Sequence, residues 1–174
     1  ALPIYGDRPV VTAAEVLDVT ETGADPHLWF ELAGVPAVAR AVTAALVEAD
    51  PAGRTTYERN LDRFLAEFRP VLADAVALRD AHRGAPVATT ERVVDRLLAT
   101  AGLDVVSPTG FASAVEEGEE PTARDTAAMD ALLTDGRARL LVYNADAETP
   151  ATDAVRDRAE RSGVPVVVVT ESLP

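Results

Sequence analysis

From residue 85 onward the chain alternates short β-branched runs with amphipathic stretches. Ala85-Pro86-Val87-Ala88-Thr89-Thr90 predicts a strand, residues 92–101 a helix and residues 103–106 a second strand. Residues 122–133 carry apolar positions at helical spacing, residues 139–143 read as a third strand, and residues 151–162 as another helix. Gly163 fits the left-handed stop after that helix, and Pro165 opens a last strand, residues 166–169, which is valine throughout and therefore apolar on both faces. Strands separated by helices of this length pair in parallel through right-handed crossovers. The expected fold class is α/β, a parallel four-stranded sheet flanked by helices.

The first half is patterned differently. Residues 10–12 predict a short strand and residues 35–49 a helix that ends before Asp50-Pro51-Ala52-Gly53. A much longer helical pattern covers residues 55–83, with Tyr57, Leu61, Phe64, Leu65, Phe68, Leu72, Val76 and Leu78 mostly keeping one face. Pro70 is expected to kink that helix or divide it in two. Undivided, it would span about 42 Å at about 1.5 Å per residue, more than one compact lobe of this size needs. No internal repeat or Gly/Ser linker interrupts the chain, so one continuous domain of residues 1–174 is the expectation.

Composition narrows the chemistry. With 174 residues, 48% of them hydrophobic, the chain is large enough for a real core. It carries 16 basic and 29 acidic residues, a net charge of −13, which makes nucleic acid an unsuitable partner. There is no cysteine, so disulfides, thiolate metal sites and cysteine nucleophiles are excluded. The longest apolar run, residues 164–169, is far below the roughly 20 residues of a membrane span, and no secretion signal opens the sequence.

Two places share a local pattern: Val87-Ala88-Thr89-Thr90-Glu91 and Val167-Val168-Val169-Thr170-Glu171 each run an apolar strand into Thr-Glu. Both carboxylates fall at strand C-terminal ends, the edge where open parallel sheets bind ligands. The same pattern also describes a threonine capping a following helix while the glutamate complements its dipole. Of the two histidines, His82 lies in the last turn of the long helix, where a cation suits the dipole. His27 lies in Ala24-Asp25-Pro26-His27-Leu28-Trp29-Phe30, a proline-fixed turn with the only tryptophan, and either packing or ligation accounts for it. One histidine and two glutamates form a nitrogen-and-oxygen set suited to a divalent first-row cation. Glu116-Glu117-Gly118-Glu119-Glu120 reads as a solvated loop, or as a cation attractor. Asn144, in Tyr143-Asn144-Ala145-Asp146 after the third strand, lies at the same sheet edge and is a candidate supporting group. No phosphate-binding glycine loop, G-x-S-x-G elbow or H-E-x-x-H helix is present.

Taken together, these boxes make the chain resemble the C-terminal lobe of the zinc- and manganese-binding solute-binding proteins of ABC importers, the cluster A-I metal-binding lipoproteins, in an actinobacterial-like variant. Asp25-Pro26-His27-Leu28-Trp29 is similar to the family's Asn-Pro-His-x-Trp box, with Asp25 in place of the usual asparagine. Residues 36–50, Tyr57-Glu58-Arg59-Asn60 and the long helix of residues 55–83 resemble the helix, Tyr-x-x-Asn signature and inter-lobe backbone helix that follow. Thr90-Glu91 and Thr170-Glu171 fall where the family places its third and fourth ligands. The acidic run and residues 143–150 also resemble variants within the group.

The resemblance implies metal ligands at His27, Glu91 and Glu171, supported by Trp29, Thr90, Thr170 and Asn144. It implies Zn²⁺ or Mn²⁺ as the captured ion, an ABC permease in the membrane as partner, and an extracytoplasmic, membrane-anchored parent protein. Residues 17–24 hold no histidine-rich loop of the kind common in zinc members. The resemblance also implies that the chain is one lobe, including the long helix, without the N-terminal lobe that carries the first ligand. A partial site of that kind would bind metal weakly, and the uncovered face would favour self-association. In the family the long helix restricts lobe movement, so capture and release rest on small motions. The role is capture and delivery without catalysis. The alternatives are a metal-free interaction module, a fragment with no independent activity, and acid–base hydrolysis by the two glutamates. Hydrolysis would call for carboxylates more than about 6.5 Å apart beside a sugar-sized groove.

Overall fold

The computed structural model describes residues 9–21 and 25–172. Ala24, the first residue of the proline-fixed turn, and part of the segment of residues 17–24 lie outside the described residues. The chain divides into two compact units, Ala1–Val76 and Ala77–Pro174.

The first unit is helical. The strand expected at residues 10–12 does not form: the Thr12 hydroxyl accepts the Glu15 amide at 3.4 Å and so caps a single helical turn, α1 (Ala13–Val16). A 3-10 turn, Leu28–Phe30, precedes α2 (Val35–Ala49), which has Pro36 in its first turn, where a missing amide hydrogen does no harm. Gly34 leads into α2 against Leu17, whose methyl carbons would lie 2.7 Å from any Cβ there. α3 (Arg54–His82) begins here and ends in the second unit. Pro70 does not divide it. The carbonyl that Pro70 leaves without an intrahelical donor belongs to Ala66, which is exposed, so water can replace the lost bond. The sheltered stripe of α3 runs through Tyr57, Leu61, Leu65, Phe68, Leu72 and Ala75, whereas Phe64, Val76 and Leu78, expected on that face, are exposed.

The second unit is the parallel sheet. Its strands are β1 (Pro86–Thr89), β2 (Asp104–Val105), β3 (Leu140–Asn144) and β4 (Val166–Val169), in the order β2-β1-β3-β4 and all parallel. Between them lie α4 (Asp95–Thr100), α5 (Thr109–Glu116), α6 (Ala123–Thr134) and α7 (Pro150–Arg161). Apolar side chains of α5, α6 and α7, among them Phe111, Met129, Leu133 and Val155, pack with Ala88 of β1 and Leu141 of β3 into one core. The central strands β1 and β3 are buried along almost their whole length, as near-continuous apolar runs in a parallel sheet should be.

Two expectations change. The all-valine strand β4 lies at the sheet edge, with Val167 and Val168 exposed, because it pairs only with β3. Its composition suits a central strand, and only its place in the order makes it an edge. α5 was not expected; it is short, and its signal is the spacing of Phe111, Ala112 and Val115, all buried. Its last residue, Glu116, opens the acidic run and is paired with Arg92 Nε at 2.7 Å, so this residue is not free in a solvated loop.

Candidate metal centre

The strand order reverses between β1 and β3. After β1 the chain turns towards β2, and after β3 it turns towards β4 on the other side, so the loops diverge at the C-terminal ends of these neighbours. That switch point is where open α/β sheets form a crevice. Glu91 follows β1, Asn144 ends β3, and Glu171 follows β4, so the order β1-β3-β4 sets the three in a row along one sheet edge.

Their side chains meet. Asn144 Nδ2 donates to Glu91 Oε1 and, at 2.8 Å, to Glu171 Oε1. Asn144 Oδ1 accepts the Asp146 amide at 2.9 Å, which orients the side chain with its N–H groups towards the carboxylates. Asn144 is 1% exposed and Glu91 5%, while Glu171 is open to solvent. Two carboxylates held on one amide nitrogen present negative charge to a single point, and a cation entering there would compete with the amide for the same oxygen lone pairs.

Thr90 is buried and accepts the Asn144 amide through its hydroxyl at 3.2 Å, while its own amide donates to the Val142 carbonyl at 3.1 Å. It extends the β1–β3 pairing to the residue before Glu91 and caps no helix. Thr170 donates to the Ser172 carbonyl at 2.9 Å in an exposed turn. The helix-cap reading therefore fails at Thr90, whereas the residues that Thr170 would cap lie outside the described ones.

Sequence reasoning did not assign Asp146. Its Oδ2 accepts the amides of Glu171 at 2.8 Å and Ser172 at 3.2 Å, and the Ser172 hydroxyl at 3.2 Å. These bonds, the Ser172 and Glu171 amides foremost, hold its carboxyl below the ordinary range. The available signal was the Asn-x-Asp spacing of a turn.

His27 belongs to the first unit. It is buried, and Asp25 Oδ1 lies 2.7 Å from its Nδ1 and 3.0 Å from its backbone amide. A carboxylate on Nδ1 fixes the hydrogen there and leaves the Nε2 lone pair for a ligand, the usual arrangement of a metal-binding histidine. Trp29 stands edge-on to the ring, 5.3 Å between centroids at 84°, and is itself half exposed. Asp25, where the family pattern has asparagine, thus supplies a charged partner. Among the described residues no three His, Asp or Glu side chains gather closely enough to share an ion. The gathered group is two carboxylates and an amide.

The family model of the periplasmic zinc-uptake complex component A, ZnuA, matches residues 5–174. The chain belongs to the ZnuA family. This is a family of periplasmic metal-binding proteins that serve ABC importers, and its members are transport proteins, not enzymes. No curated protein matches the chain. Among solved structures, a crystal structure of ZnuA is 19% identical with a TM-score of 0.73, covering 92% of this chain and 62% of its own. The solute-binding protein FpvC from Pseudomonas aeruginosa, in complex with Mn²⁺, is 21% identical with a TM-score of 0.69, covering 94% and 60%. The periplasmic zinc-binding protein TroA from Treponema pallidum is 17% identical with a TM-score of 0.68, covering 95% and 61%. At these identities the likeness shows the ZnuA-type fold, and this chain spans 60–62% of the length of those three proteins. Among the described residues no helix is long and apolar enough to cross a membrane.

The inverting form of hydrolysis by the two glutamates has no geometric support. Neither bond to Asn144 Nδ2 exceeds 2.8 Å, so the two oxygens are closer than the roughly 6.5 Å that leaves room for an attacking water.

Proposed function

We propose that the chain captures a divalent transition metal outside the cytoplasm, zinc first and manganese second, and passes it to an ABC permease. In this reading it is the C-terminal lobe of its parent protein, with the long helix α3 included, and His27 Nε2 and the carboxylates of Glu91 and Glu171 are ligands. The metal is cargo: it is bound and released with no covalent change.

The observation that supports this reading is the meeting of Glu91 and Glu171 on the Asn144 amide at the switch point of the sheet. Asn144 keeps the two carboxylates together while no cation does so, and yields their lone pairs when one arrives. Thr90 fixes the backbone beneath Asn144, Thr170 shapes the turn that carries Glu171, and Trp29 and Asp25 orient the His27 ring. Imidazole and carboxylate suit zinc, and two hard carboxylates keep manganese close behind.

The test is a competitive titration of Zn²⁺ and Mn²⁺ against a chromogenic chelator, with the chain and its His27→Ala and Glu171→Gln variants. Binding by the chain that is lost or strongly weakened in both variants is expected. No binding, or binding indifferent to both substitutions, overturns the reading.

One observation favours a second reading, a metal-free interaction surface. Within the first unit an apolar groove of about 750 Å³ runs beside Leu28, Trp29, Val38, Phe64 and Phe68, with Trp29 and Phe64 exposed. Under this reading two copies associate through that groove, and light scattering after size exclusion shows dimers at high concentration. A strict monomer there refutes it.

A further inference from the structure

The ligand proposed at residue 171 is poorly supported by its own strand. β4 pairs only with β3, and that pairing ends at Asn144 opposite Val169. Residues 170–172 therefore lie beyond the ladder and are exposed, with no burial to hold them. Something else must set the direction of the Glu171 side chain.

We propose that Asp146 is the positioning residue for Glu171: its carboxylate, in the turn after β3, grips the backbone of the turn after β4 and so directs the glutamate onto the Asn144 amide. Three donors converge on the single oxygen Oδ2, the Glu171 amide at 2.8 Å and the Ser172 amide and hydroxyl at 3.2 Å each. These partners are 25 and 26 residues away in sequence, so the contact is tertiary and not an ordinary local turn. Asp146 is tied in turn to the centre of the cluster, since its own amide donates to Asn144 Oδ1 at 2.9 Å. Asn144-Ala145-Asp146 thus acts as a clamp with two jaws: Asn144 takes the Glu171 side chain and Asp146 takes its backbone.

Asp146 is exposed. Water can replace each of its bonds when the carboxylate is removed, so it adds little to the stability of the fold. What water cannot replace is direction. A ligand free to rotate away must be ordered when the ion binds, and that loss of freedom weakens binding. The effect of Asp146 falls on affinity, through Glu171 alone. The inference rests on Glu171 being a ligand, as proposed above.

The test uses the full chain, Asp146→Ala, Asp146→Asn, Glu171→Gln and the double variant Asp146→Ala/Glu171→Gln, each titrated with Zn²⁺ against a chelator. Asp146→Ala should weaken binding about tenfold, the scale of loss when a group that orients a ligand is removed. Asp146→Asn, which keeps an acceptor oxygen, should recover part of it. The double variant should bind no more weakly than Glu171→Gln, because Asp146 acts only through that side chain. In the metal-free chain, Asp146→Ala should shift the Glu171 and Ser172 amide proton resonances and leave that of Asn144 in place. Unchanged affinity in Asp146→Ala, or losses that simply multiply in the double variant, would overturn the inference. If Glu171→Gln leaves affinity unchanged, it is the ligand reading that fails, and the affinity role of Asp146 fails with it.

Discussion

Replacing Asn144 with leucine, a side chain of similar size without polar atoms, is the sharpest probe of the cluster. Three side-chain hydrogen bonds disappear: those to Glu91 and Glu171 and the one from the Asp146 amide. They do not count equally. Glu91 is 5% exposed and its bond is charge-assisted, worth about 2 kcal/mol. The Asp146 amide bond is neutral and worth about 1 kcal/mol. Glu171 is exposed and turns to water, so its bond adds little. The expected loss in the metal-free chain is about 3 kcal/mol, a fall of about 9 °C in the melting of a chain of this size. The assay is thermal unfolding of Asn144→Leu followed by far-ultraviolet circular dichroism, with and without saturating Zn²⁺. Metal should restore part of the loss, because an ion binds the carboxylate oxygens that the amide hydrogens no longer hold. A fall of less than about 3 °C would refute the argument that one buried amide holds the two carboxylates.

Other consequences are open to direct measurement. Phe111→Ala removes a fully buried ring from the core beneath the sheet, and should destabilise the second unit by about 3–5 kcal/mol in urea unfolding; a loss under about 1 kcal/mol would mean that α5 does not pack as described. Tyr143 titrates above its ordinary range, through burial first and then through the bond from its hydroxyl to Asp153 Oδ1 at 2.8 Å. Its folded value lies above its unfolded one, so its stabilisation is complete below about pH 10 and fades as pH rises through the folded value. Tyr143→Phe should remove that alkaline loss, read as unfolding free energy against pH. Val168→Lys on the edge strand, where the side chain is 58% exposed, should change stability by less than about 0.5 kcal/mol, whereas Val142→Lys in the central strand should unfold the unit. Equal effects of the two lysines would contradict the strand order.

Much of the second unit is legible in the chain itself. The valine and leucine runs, the helix-stopping glycine at residue 163 with φ of 72° and the alternation of strands and helices lead to a parallel α/β sheet without reference to contacts. Helical periodicity does the same for α2 and α3. The short elements were harder. Val10-Val11-Thr12 reads as a strand because all three side chains are β-branched, yet the Thr12 hydroxyl caps a turn. α5 is two turns long, and its apolar spacing is too brief to separate from a loop.

The site divides along the same line. The Thr-Glu pairs at strand ends and the Asp25-Pro26-His27 turn stand in the sequence, and they name the residues whose chemistry suits a cation. Asp25 lies two residues from His27, so the bond that leaves Nε2 free is local and follows from the turn. That Glu91 and Glu171 share one amide is not local, since Asn144 is 53 residues from the first and 27 from the second. They meet because β3 is inserted between β1 and β4, and no pattern of residues along a strand states which strand will be its neighbour. The same insertion leaves an all-valine strand at an edge and puts Asp146 against the turn that carries Glu171. Periodicity records which face of an element seeks burial; the order in which elements are laid side by side depends on packing among distant parts of the chain, and only the tertiary structure decides it.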